Sequence, residues 1–226
     1  MSTEEAMKRL HERIAERERQ TRPTTAASAT TRPSKELRAL FAAAKANDLA
    51  AARRLIADGA PPGGAGEGGE QPLHWAAAYG AADVADLLIA KGAKVDARAQ
   101  GGITHLHLAA QEGHTKLVRL LLDKGAGVNL ANDDKLTALH LAASYNRQEV
   151  VDLLLARHAS ITALDNTKST PLHLAAAYGA TESVKALLGK GAEISPQDTD
   201  GHTPLDLAEA NDNDAAAAAI REDSKK

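Results

Sequence analysis

Apolar positions along this chain fall into short helical stripes separated by polar, turn-forming stretches, and residues 169–192 (STPLHLAAAYGATESVKALLGKGA) show one full cycle. Thr170 is a good N-cap and Pro171 occupies the first helical position, where its missing N–H costs nothing. His173 lies three residues after the cap, where a side chain can reach back to it. Gly179 ends this first helix. Val184, Leu187 and Leu188 then give a second helix its apolar i, i+3, i+4 stripe, and Gly191 supplies a left-handed exit. The cycle recurs. Leu-His pairs stand at Leu73-His74, Leu106-His107, Leu139-His140 and Leu172-His173, with Leu205-Asp206 in the same phase, each step being 33 residues. Gly59-Ala60, Gly92-Ala93, Gly125-Ala126, His158-Ala159 and Gly191-Ala192 repeat at the same interval. Two marker series sharing one period predict a stack of helix pairs.

These residues resemble the ankyrin repeat, a 33-residue unit carrying T-P-L-H-x-A. Thr170-Pro171-Leu172-His173-Leu174-Ala175 and Thr203-Pro204-Leu205 match it most closely. The resemblance spans roughly residues 36–223. It implies an all-α ankyrin-repeat solenoid of helix-turn-helix units joined by β-hairpin-like finger loops. Gln71 replaces the motif Thr, His105 and Ala138 replace the Pro, and His158 replaces the turn Gly. A left-handed His158 would strain its turn by roughly 1–2 kcal/mol. One period further back, Leu40 and Phe41 fall in the Leu-His phase, and Lys35, Arg38, Arg53 and Arg54 give a polar outer face. That is the signature of a terminal repeat, which has no neighbour to cover it. Six repeats are expected over residues 35–223, the first and last capping.

Outside the array, residues 1–20 are expected to hold a charged helix with a narrow stripe of Met7, Leu10 and Ile14. Such a helix either docks a partner or stays solvated. Residues 21–34 (TRPTTAASATTRPS) have the composition of a disordered Thr/Ser/Pro linker. Gly64, Gly66 and Gly69 form a G-x-G-x-x-G before a helix. A dinucleotide fingerprint needs a strand ahead of its glycines, whereas here a helix and two prolines precede them. A loose, degenerate finger loop is expected instead.

Composition narrows the chemistry. Hydrophobic residues make up 43% of the chain but aromatics only 2%, so the core must be built from Ala, Leu, Ile and Val. No apolar run approaches the ~18 residues of a membrane span. The absence of cysteine excludes disulfides, thiol catalysis and cysteine metal sites, and fits a cytoplasmic setting, with the nucleus as an alternative. A net charge of −3 gives no general pull on nucleic acid. His74, His107, His140 and His173 share one phase, but packed helices stand roughly 10 Å apart. Zinc ligands must sit about 2.1 Å from one ion. Helix-capping rings are therefore expected, with no metal site, cofactor or catalytic residue.

The resemblance implies that partners lie along a concave face of inner helices and finger tips. Counting by 33 places Tyr79, Glu112, Tyr145 and Tyr178 at exposed inner-helix positions, and Ile103, Asp133, Asp134 and Leu136 on the fingers. Of 25 such positions six are acidic (Glu67, Glu70, Glu112, Asp133, Asp134 and Asp200) and none is Lys or Arg. A tyrosine-bearing acidic face suits a basic, partly extended segment of another protein and repels phosphate backbones. The expectation is a monomeric, non-catalytic protein-interaction module. The alternatives are an assembly chaperone or adaptor for a larger complex, a microbial secreted effector, or an enzyme, which the absent motifs disfavour.

Overall fold

The computed structural model describes residues 33–225; the expected helix at residues 1–20 and most of the linker lie outside the described residues. Among the described residues twelve α-helices follow one another in pairs. The first of each pair is α1 (Lys35–Lys45), α3 (Pro72–Tyr79), α5 (His105–Glu112), α7 (Ala138–Ser144), α9 (Pro171–Ala177) and α11 (Pro204–Ala210). The second is α2 (Leu49–Ala57), α4 (Ala82–Ala90), α6 (Thr115–Asp123), α8 (Gln148–Ala156), α10 (Thr181–Gly189) and α12 (Asp214–Asp223). Each first helix packs on the first helix of the next pair, and each second helix on the next second helix, so two layers run side by side. No strand occurs among the described residues. Two finger loops close instead with single antiparallel bridges, Arg98 to Thr104 and Ala131 to Thr137.

Helices this short, seven to eleven residues, have little stability alone and depend on the apolar face each buries. The motif leucines Leu73, Leu106, Leu139 and Leu172 are at most 2% exposed, inside a core otherwise dominated by Ala, Val and Leu. Small side chains let the helices approach closely, which is why the chain needs so few aromatics.

The motif histidines bind each repeat to the next. In His107 the ring Nδ1 accepts the backbone N–H of Thr104, its own N-cap, at 3.1 Å. The proton therefore sits on Nε2, which donates to the carbonyl oxygen of Leu136, 29 residues on, at 3.0 Å. His74, His140 and His173 do the same, capping at Gln71, Thr137 and Thr170. Their Nε2 atoms reach the carbonyls of Ile103, Ser169 and His202. The rings thus cap their helices, as expected, and also hold the following finger. In the last described pair Asp206 stands in the histidine phase. Its carboxylate accepts from the Thr203 N–H and hydroxyl at 2.8 and 2.7 Å. Where Gln71 replaces Thr, its side-chain oxygen is buried with no hydrogen-bond partner among the described residues.

A second connection obeys a reciprocal rule at all five junctions. Gly80, Gly113 and Gly179 adopt φ of +71°, +80° and +67° between the helices of their pairs. One period later, His114 Nε2 reaches the Ala78 carbonyl at 3.1 Å, Arg147 Nε donates to Gln111 O at 2.9 Å, and Asn213 Nδ2 donates to Ala176 O and Ala177 O. A Cβ on any of these glycines would press on the reaching side chain, at 2.8 Å from His114 or Arg147 and 2.6 Å from Asn213. Asn47 and Asn146 replace glycine at the other two junctions, with φ of +51° and +55°. There the reaching residue is alanine, Ala81 or Ala180, and the asparagine side chain itself accepts from Val84 N or Ser183 N in the next repeat. Glycine with a long polar partner, or asparagine with alanine, fills the same space.

His158 does adopt the left-handed conformation, φ +64°, where the other repeats have glycine. The glycine-rich stretch before α3 is hydrogen-bonded rather than loose. Gly66 N donates to Glu70 O at 2.7 Å, and Gly68 N to the Glu70 carboxylate at 2.9 Å, which clips the loop to the start of α3.

Two outcomes follow. Gly113→Asn should lower the melting temperature, by roughly 1–2 kcal/mol in stability, and adding Arg147→Ala should restore most of the loss; thermal unfolding of the double-mutant cycle checks the coupling. Burial holds His105 at about 3 and His107 at about 4, and likewise lowers His74, His140 and His173. Unfolded histidines, near 6.5, bind protons that the folded ones refuse. The stability these rings confer is therefore complete above pH 6.5 and is lost as pH falls towards 4 and then 3. Denaturant unfolding should show that slope, and His105→Pro, which restores the motif proline, should flatten it.

Candidate functional site

The candidate face is built from the ends of the inner helices and the fingers beside them. Backbone bonds join one finger to the next: Gln100 N to Gly68 O at 2.8 Å, Asp133 N to Gly101 O at 3.0 Å, Asn166 N to Asp134 O at 3.1 Å and Thr199 N to Thr167 O at 2.9 Å. The last three fingers are also braced internally. Asn132, Asp165 and Asp198 each accept two backbone N–H groups of their own loop, as Asn132 does from Asp134 and Leu136 at 3.0 and 2.8 Å. Such Asx turns preset the loop before any ligand arrives. Lys135 and Lys168 take the left-handed tip position, φ +59° and +58°, that Gly69, Gly102 and Gly201 take elsewhere. They are exposed cations beside the acidic residues.

On this strip Asp133 is exposed, whereas Ile103, Asp134 and Leu136 are half-buried. Ile103 and Leu136 are also residues whose carbonyls accept from the motif histidines, so buried rings fix the backbone of two candidate contacts. Along the inner helices Leu108 and Leu174 are half-buried and Leu141 is only 7% exposed, forming an apolar floor.

The expected row of exposed inner-helix residues divides. Tyr79 is 49% exposed, Glu112 is exposed and Tyr178 is half-buried. Tyr145, expected at the surface, is 9% exposed and belongs to the core, and so does its neighbour Ser144. Tyr145 lies between two other side chains of its phase. Glu112 stands one repeat before Tyr145 and Tyr178 one repeat after, and both act on its hydroxyl electrostatically. Burial first, then the Glu112 charge and Tyr178, push the Tyr145 phenol up to about 12. Counting by 33 finds the phase of a side chain; it does not count the bulk of its neighbours in that phase.

Three residues missed by that counting form a cluster at the N-terminal end of the face. Phe41 on α1 and Trp75 on α3 have ring centroids 6.1 Å apart, and Trp75 stacks on Tyr79 at 6.2 Å with planes 6° apart. The Lys45 ammonium lies 4.8 Å from the Tyr79 ring centroid. The available signal was that the chain's one Phe and one Trp both fall in inner-helix phases.

Models of the ankyrin repeats match nearly the whole chain, one described as three copies over residues 3–99 and 95–165, another as many copies over residues 158–208. The chain belongs to the ankyrin repeat family. No curated protein matches it in sequence. Ankyrin repeats are generally protein–protein interaction modules, and the family is generally non-catalytic. Within this ankyrin array no three histidines or carboxylates among the described residues are grouped to hold a metal ion, and no described helix is long and apolar enough to cross a membrane. His105, two residues from His107, turns to the preceding repeat instead. Its ring centroid is 4.0 Å from that of His74, and its Nδ1 donates to Val95 O at 2.7 Å.

The Tyr145 environment is directly measurable. Ultraviolet titration should show a phenol ionising near pH 12 that is absent from Tyr145→Phe. Stability should fall between pH 10, where an unfolded tyrosine ionises, and pH 12.

Proposed function

We propose that this ankyrin array, residues 35–223, is a monomeric, non-catalytic interaction module that holds a basic, partly extended segment of another protein along its inner-helix and finger face. The observation supporting this is the middle of the face. There the exposed carboxylates Glu112 and Asp133 flank half-buried apolar side chains at Ile103, Leu108 and Leu136. An extended chain crossing it lays alternate apolar residues on the floor and its Lys or Arg heads against those carboxylates. Charges at the rim of such a surface set partner choice and association rate more than total affinity. Tyr178 is half-buried in the same inner-helix phase, and the Tyr79 ring has Trp75 stacked on it and Lys45 close by. Tyr145 is assigned a supporting position behind Tyr178 and Glu112, without contact to the partner. Asp134, half-buried in the finger, shapes the loop as much as its charge. An adaptor or assembly-chaperone role would use this same surface. A chain without cysteine or a described membrane-crossing helix is suited to the cytoplasm or nucleus.

The test uses peptides of alternating Lys/Arg and Leu titrated against the full chain by fluorescence anisotropy. Glu112→Lys with Asp133→Lys should weaken binding about tenfold or more and remove its salt dependence. Asp58→Lys, at the exposed end of α2, should change little. Equal affinity in the two charge-altered proteins would end this reading.

A further inference from the structure

The first two repeats carry a surface of opposite character to the middle of the array. Of the chain's five aromatic residues (one Trp, three Tyr and one Phe), three are in sequential contact there: Phe41, Trp75 and Tyr79. Elsewhere the array packs with Ala, Leu and Val and leaves few large side chains open; among the described residues Tyr79, at 49%, is one of two exposed large hydrophobic residues. Packing alone does not require a Trp here, because the same inner-helix phase is filled by Leu108, Leu141, Leu174 and Leu207 in the later repeats. The equivalent residue of the first repeat is Ala42, whose small, exposed side chain leaves a low point beside the rings.

The rim of this cluster is basic. Arg38, Phe41 and Lys45 are spaced three and four residues apart and so share one side of α1, with Lys35 three residues before Arg38. All three cations are exposed, and none forms an ion pair within 4 Å among the described residues, although the exposed Glu36 carboxylate feels the charges of Lys35 and Arg38. Lys45 is positioned by the Tyr79 ring, which holds its ammonium at the edge of the aromatic surface. A carboxylate arriving there meets a cation that is already oriented, so less side-chain freedom is lost on pairing. Aromatic side chains and Arg dominate the energetics of protein interfaces, and here both occur on one small face.

We propose that Phe41, Trp75 and Tyr79, with Lys45 and Arg38, form a second docking subsite, whose partner is an acidic peptide segment bearing an apolar side chain. The apolar group lies against the rings over Ala42, and the flanking carboxylates pair with Lys45 and Arg38. The subsite stands independently of the basic-segment reading of the middle repeats. If both operate, the face has a direction: acidic-apolar sequence binds over the first two repeats and basic sequence over those that follow.

Trp75 is the protein's one tryptophan, so its emission reports on this subsite. Random dodecapeptides lacking Trp, displayed on phage, are selected on the full chain; binders are then synthesised and titrated while Trp75 emission is followed. Peptides that shift the emission should carry net negative charge and at least one Leu, Ile or Phe. They should bind about tenfold weaker to Tyr79→Ala and to Lys45→Glu, with circular dichroism unchanged, and Glu112→Lys with Asp133→Lys should leave them unaffected. Lys45→Gln, which keeps the stem and removes the charge, gives the same comparison should Lys45→Glu unfold. The proposal is overturned if emission-shifting peptides are neutral or basic, if no selected peptide shifts the emission, or if the Lys45 substitutions leave affinity intact. Basic peptides that bind silently and are lost in Glu112→Lys with Asp133→Lys would uphold only the reading of the middle repeats.

Discussion

A buried imidazole with two fixed roles holds this array in register. Each motif histidine accepts from its own helix cap through Nδ1 and donates to a finger of the next repeat through Nε2, so one ring sets both the start of a helix and the height of the next loop. Only a neutral ring in one tautomer can do this, and burial enforces neutrality by penalising the charged form. Each such bond adds only ~1 kcal/mol net, but a buried polar group left without its partner costs more. Stacking in any other register would leave the rings and finger carbonyls unpaired. At Asp206 the capping half of this role is kept by a carboxylate, which accepts from the Thr203 N–H and hydroxyl.

The reciprocal junctions add a second constraint, steric where the first is electrostatic. The left-handed residue between the helices of a pair and the residue one period later compete for the same volume. The outcome differs along the chain, Asn with Ala at the first and fourth junctions and Gly with His, Arg or Asn at the others. All five junctions keep a side-chain bond between repeats. Repeat proteins derive cooperativity from such neighbour interfaces, because no long-range contact closes the structure.

This frame explains how a recognition surface can be both preset and varied. The histidines, the finger-to-finger backbone bonds and the Asx turns fix the main chain, and none of them uses the exposed side chains. Those positions are free to differ by repeat: Phe41, Trp75, Tyr79 and Lys45 at one end, Glu112 and Asp133 in the middle. The tyrosine phase illustrates both outcomes, since the same position gives a half-exposed side chain at Tyr79 and a core residue at Tyr145.

The period of 33, the cap at Thr170, the helix pairs and the capping role of the histidines were all legible in the residues. They depend on backbone preferences and short-range geometry, which act within a few positions and repeat with the motif. The left-handed turn at His158 was legible for the same reason. The burial of Tyr145, the closed loop around Glu70, the Gly–Asn exchange at the junctions and the Phe41–Trp75–Tyr79 cluster were not. The Glu70 loop closes locally, through one particular pose of its own side chain and carbonyl; the others depend on what stands about one repeat away, distant in the chain but adjacent in space. A period states which side chains share a row; how they crowd, cover or pair is decided only when the rows are packed together.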